Sequence, residues 1–237
     1  MSPASSALSY VPGTNKLTSA SAQAVLQANN FDISSIMTGW VDRGTWIYYD
    51  TMTVAPGVAV PQTYQFFQVP IGQNDSLQTT VPKTKLQTNM YNQGYFAPPR
   101  CLILNQLGFY FCGPYSTSSK NYGNMLLSDI EMLCNSCYFE FSIDNGKVFF
   151  EGRLEFHPPG IGITGYSVAN NDFSWGLGFP SPHAVYGFGN YGKYIAPLQN
   201  FGLKLTFPMG TLPLSSSTGV GINVLCMMKG LTDRSVQ

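Results

Sequence analysis

Charge is what this chain has least of. Only 10% of its 237 residues are Asp, Glu, Lys or Arg, against about a quarter in soluble domains. Its 12 basic and 12 acidic side chains cancel. A monomer so poor in charge has little to oppose association. Two readings follow: a secreted β protein of low charge, or a subunit whose surface is mostly covered by neighbours, and the second is preferred. The basic residues are also dispersed. Lys16 is the only charge in the first thirty residues, and Lys83 with Lys85 is the densest pair. With no arginine-rich arm or basic stripe, strong direct nucleic-acid binding is not expected. Long apolar runs are missing too, so no segment reaches the roughly eighteen residues of a membrane span. Residues 1–13 lack the basic and apolar regions of a secretory leader.

Cysteine is sparse and odd in number, five in all, which argues against a disulfide scaffold. Cys134 and Cys137 have CxxC spacing, but no second pair exists, and His157 and His183 are distant in sequence. Zinc needs four converging ligands. A redox CxxC opens a helix, where the dipole favours thiolate, whereas this one closes a helical pattern. Both cysteines therefore read as reduced packing residues made in a cytoplasm.

Catalytic constellations are missing as well. There is no G-x-S-x-G elbow for a serine nucleophile, and neither histidine is placed beside a cysteine by the sequence. Residues 160–165 match G-x-G-x-x-G, but residues 166–171 do not start a helix, and no acid lies between Asp172 and Asp233. Glu140, Glu151 and Glu155 alternate with Lys147 and Arg153, which suits cross-strand salt bridges better than a catalytic pair. Asn74-Asp75-Ser76 is a formal glycosylation sequon without a leader to expose it. The expectation is a protein that is not an enzyme, with no catalytic, cofactor-binding or metal-ligating residues.

What is abundant is apolar and aromatic: 44% hydrophobic residues, 14% aromatic. Residues 128–156 carry the clearest local pattern. Ser128 and Glu131 have capping-box spacing, and Ile130, Leu133, Cys134 and Cys137 mark an apolar helical face. The period then switches to two, with Phe139, Phe141 and Ile143 on one side. Asn145-Gly146 suits a two-residue hairpin turn. Val148, Phe150, Leu154 and Phe156 are expected on the inner face of the returning strand.

Around this hairpin the pattern predicts strands at 46–54, 62–71, near 84–90, 100–112, 200–207 and 220–228, with a polar tail from 231. Residues 157–191 hold seven glycines, four prolines and one charge, Asp172, with Phe173, Trp175, Phe179, Tyr186 and Phe188 among them. So apolar a loop suits a structured interface. Residues 1–40 read as an N-terminal arm with a short helix near 20–27, and 41–237 as a single domain. Eight to eleven strands without βαβ rhythm, joined by connections of unequal length, predict an all-β fold. A jelly-roll β-sandwich, two packed antiparallel sheets with Greek-key connections and one or two short helices, fits that count.

Several segments, in order, resemble the major capsid proteins of small tail-less icosahedral bacteriophages. They are residues 66–73 (FFQVPIGQ), the capped helix leading into 137–150, residues 156–160 (FHPPG), residues 199–208 (QNFGLKLTFP) and the final run at 219–226. The similarity covers roughly residues 62–237. It implies a structural viral protein, a jelly-roll subunit whose homo-oligomeric copies build the virion shell with other minor virion proteins. Relatives with an internal membrane often stack two rolls, about sixteen strands at eight each. The strand count here supports one. Many single-roll relatives carry a basic arm for the genome, and this neutral arm implies instead a membrane beneath the shell or packaging by another protein. The second functional class consistent with the fold is a carbohydrate-binding or adhesive β-sandwich, with the aromatic residues between Tyr166 and Tyr194 as its stacking surface.

Overall fold

A computed structural model describes residues 41–55, 58–77, 79–112, 127–144, 146–154, 164–167, 173–176, 186–188, 192–210 and 222–235. The expected arm at 1–40 and its helix lie outside them. The strands are β1 (Val41–Val54), β2 (Thr63–Phe66), β3 (Cys101–Cys112), β4 (Tyr138–Ile143) and β5 (Lys147–Arg153). After them come β6 (Thr164–Ser167), β7 (Phe173–Gly176), β8 (Tyr186–Gly187), β9 (Lys193–Ile195), β10 (Phe201–Thr206) and β11 (Ile222–Ser235). One helix, α1 (Leu127–Ser136), precedes β4.

Alternation along the strands builds the sandwich. Tyr48, Asp50, Met52 and Val54 of β1 are buried, as are Ile222, Val224, Cys226 and Met228 of β11. Facing them are Phe201, Leu203 and Leu205 of β10, and Phe139, Phe141 and Ile143 of β4. The first sheet runs β1-β11-β3-β8, with β9 also on β3, and the second runs β2-β10-β4-β5. Every pairing is antiparallel. The two sheets pack as an all-β sandwich around one core. Rings from both sheets interlock: Phe66–Phe109 at 6.3 Å, Phe109–Phe139 at 5.2 Å and Phe139–Phe150 at 5.5 Å. Their tilted and edge geometries are the favourable ones for aromatic pairs.

Several expectations need correction. The hairpin turn spans three residues, because Ile143 pairs with Lys147, and Asp144 (φ 55°) and Gly146 (φ 91°) take the left-handed conformations. A bulge follows, since Phe141 faces Phe150 and Ser142 faces Val148, leaving Phe149 extra. It turns Val148 outward, 44% exposed, while Phe150 packs on the core. Strand β2 stops at Phe66 and does not run on to 71, because Phe67 turns to φ 66°. Residues 84–90 form a turn and an isolated Asp50–Thr88 bridge, not a strand. Residues 231–235 are not a tail, since β11 continues through them opposite 41–45 of β1. The 157–191 stretch contains the β6–β7 hairpin and β8; its remainder, apart from Phe188, lies outside the described residues, as do the side chains of Ser128 and Glu131.

Candidate functional site

Connection 67–100, between β2 and β3, carries the densest polar chemistry among the described residues. Lys83 is 2% exposed, yet its ammonium lies 2.8 Å from Asp50 Oδ1 and 3.0 Å from Asp75 Oδ2. It also donates to the Tyr64 hydroxyl at 3.1 Å, and that hydroxyl donates to Asp75 Oδ2. The Phe67 amide donates to the other Asp50 oxygen at 2.6 Å, holding the left-handed residue that ends β2. Burial pushes Asp50 above the ordinary carboxylate range, even against Lys83. Burial acts the same way on Asp75, but the charge of Lys83 with bonds from Tyr64, Lys83 and the Leu77 amide outweighs it, so that pKa falls. Tyr64 is pushed well above its ordinary value by burial, then by the two carboxylates. All four groups are sealed from solvent. Nothing the size of a substrate reaches them, so the cluster works as a clamp, pinning the connection to β1 and β2.

The same connection covers the edge of β1. Asn89 Oδ1 accepts from the Tyr49 amide at 2.9 Å, and Asn89 Nδ2 donates to the Ile47 carbonyl at 2.7 Å. With the Asn89 backbone amide and the Thr88 hydroxyl, which both donate to the Tyr49 carbonyl at 3.2 Å, this side chain takes the place of a neighbouring strand along that part of the edge.

Beside that edge lies a cleft of about 570 Å³. Trp46 (45% exposed) and Tyr91 (58%) present rings there, and the Arg100 guanidinium sits 5.6 Å from the Tyr91 ring centre. Lys85, Arg100 and Lys229 line it, and among the described residues no carboxylate does. The Tyr49 hydroxyl donates to the Lys85 carbonyl, fixing that wall. Burial, then Tyr91, raises the Tyr49 pKa. Nearby Arg43 is already matched, its Nε and Nη2 donating to the Asp233 carboxylate at 2.6 and 2.7 Å. A second cleft, about 410 Å³, lies on the outer face of β2, β10, β4 and β5 beside Gln65, Lys204 and Val148.

The residues weighed from the sequence are not brought together. Cys134 and Cys137 are buried thiols outside any disulfide, and burial, then Cys134, pushes the Cys137 thiol up to about 12, the opposite of a reactive thiolate. The glycine motif leads into strand β6, not a helix. Glu140 pairs with Lys204 of β10 at 3.4 Å and stands opposite Glu151. His157 and His183 lie outside the described residues. Asp50 was detectable as a charge at an inward position of an alternating strand. Lys85, Arg100 and Lys229 left no such signal, because chain folding alone gathers them. Compared with protein-family models, curated proteins and solved structures, the chain matches none.

Proposed function

We propose that this chain is a jelly-roll capsid protein, a structural subunit that self-assembles into the icosahedral virion shell of a tail-less bacteriophage. The observation that carries the reading is the nesting of strand partners. β1 pairs with β11, β2 with β10, β3 with β8 and β9, and β4 with β5, and successive pairs alternate between the two sheets. A single antiparallel ribbon with its tip at 144–146, wrapped so that alternate segments enter opposite sheets, has this connectivity. Such nesting is what a jelly roll's double Greek-key wrapping calls for, and it supports that reading over a simple meander.

Jelly rolls also serve lectins and enzymes, so the fold alone does not select a function. The surface favours assembly. Charged residues are only 10% of the chain, and Leu86 (66%), Leu198 (63%) and Met209 (87%) are exposed on its connections. Repeated heterologous contacts that close on themselves would cover such residues. The segments that resemble phage capsid proteins include β10, the first part of β11 and the α1–β4–β5 unit, which lie in the middle, at the outer end and at the tip of the ribbon.

Light scattering and negative-stain microscopy of the purified protein test the reading. Trimers, pentamers, hexamers or closed shells are expected. A stable monomer at high concentration overturns it.

A further inference from the structure

We propose that the cleft beside β1 binds single-stranded nucleic acid, holding phosphates with Lys85, Arg100 and Lys229 and stacking bases on Trp46 and Tyr91. Three cations converge there from two elements: Lys85 and Arg100 from the β2–β3 connection, 15 positions apart, and Lys229 from β11. Among the described residues none of the three has a carboxylate partner. The cleft therefore attracts an anion, and its exposed rings attract a flat apolar face.

The neutral polar groups decide among anionic ligands. Both ends of the Asn89 amide are taken by the β1 backbone, and the Thr232 hydroxyl donates to the Cys101 carbonyl at 2.6 Å. Little remains to satisfy sugar hydroxyls. An acidic peptide would engage the cations and leave the rings unused. Nucleotides in a single strand supply both phosphate charge and unpaired base faces, and stacking of this kind tolerates any sequence. A duplex hides its base faces and fits less well.

Three phosphate contacts make a weak site, consistent with a chain that carries no basic stripe. Each contact on a single strand contributes about 0.7 to the salt slope, so log Kd against log salt should have a slope near 2 in magnitude. The site lies within one subunit and does not rest on the shell reading.

Anisotropy of a fluorescein-labelled oligothymidylate of about 12 nucleotides, within the size range of such sites, tests the proposal on the full chain. Saturable binding at low salt with that slope is expected. Lys229→Gln or Lys85→Gln should each reduce the slope by about 0.7. Tyr91→Ala should weaken binding about fivefold to 150-fold while leaving the slope unchanged. Tyr91 and Lys85 are both exposed, so the Tyr91 and Lys85 variants should keep the thermal midpoint. If Tyr91→Ala lowers it, the two lysine variants decide the outcome. No saturable binding, unchanged binding in these variants, equal affinity for the matching duplex, or stronger displacement by a sulfated oligosaccharide of equal charge would each overturn the proposal.

Discussion

Asp50 occupies a position in β1 where hydrocarbon is the rule, between Tyr48 and Met52 on the buried face. A lone carboxylate there would be costly, and Lys83 with the Phe67 amide makes it tolerable. Removing one member of such a group is far worse than never having built it. Lys83→Met should therefore cost about 3–5 kcal/mol at neutral pH in urea unfolding. Adding Asp50→Asn should restore part of that loss, and a double-variant loss equal to the sum of the two single losses would show the two groups uncoupled. Asp75 and Asp50 act oppositely on acid stability. The lowered Asp75 gives stability that is lost as pH falls through its folded value, whereas the raised Asp50 costs stability as pH rises above the ordinary carboxylate range. The alkaline side has one sign. Cys101, Cys137, Cys226, Tyr49 and Tyr64 are all raised, chiefly by burial. Each keeps its proton in the folded state at a pH where the unfolded chain has released it, so stability declines as pH rises. The thermal midpoint should fall steadily from about pH 9, near the ordinary cysteine range. Cys137→Ala should flatten that decline, by at most about 1.4 kcal/mol per pH unit between pH 9 and 11. An unchanged slope would show that this thiol is not titrating differently in the two states.

At the scale of elements, alternation was legible wherever a strand has one wet face and one dry. β4, β10 and the first half of β11 were readable for that reason, and the helical period before Cys137 marked α1. Bulges were not, because each moves the inward set from one parity to the other. In β3, Leu102 and Leu104 are buried, then Leu107, Phe109 and Phe111, because the partner of β11 skips Asn105 between Lys229 and Gly230. The close approach needs a glycine, since a Cβ on Gly230 would run into the Ile103 carbonyl. Gly230→Ala should destabilise by about 1–3 kcal/mol, the usual cost of forced overpacking, seen as a lower denaturation midpoint. An unaltered midpoint would mean that the two strands can separate there without loss. The strand ends at 41–45 and 231–235 were also hidden. Their polar residues look like tails until Arg43 meets Asp233 across the pair.

For the whole molecule, the anchor hairpin takes a new place. Read locally, residues 138–153 are the best-patterned strands. In the fold they are the innermost pair of a nested set, inside β1–β11, β2–β10 and the pairing of β3 with β8 and β9, while β6–β7 forms a separate two-stranded sheet. Ring contacts continue past that tip: Phe149 and Phe150 of β5 meet Phe188, just beyond β8, at 6.0 and 5.3 Å, closing the far side of the sandwich. The shell proposal belongs at this scale, since it concerns the sparsely charged outer surface. The nucleic-acid proposal depends on how one connection folds back against β1.

The sequence alone determined the class of the chain: mostly β, apolar, scarcely charged, with one short helix before a hairpin. Such properties are local or additive, set by side-chain period and composition. Tertiary structure decided which strands pair, where parity shifts, and which charges meet. Lys83 and Lys85 were adjacent members of one basic cluster in sequence. In the fold, Lys83 is sealed between two carboxylates and Lys85 faces the cleft beside Trp46 and Tyr91. One residue, Thr84, separates them, and only the path of the connection over β1 gives them opposite environments.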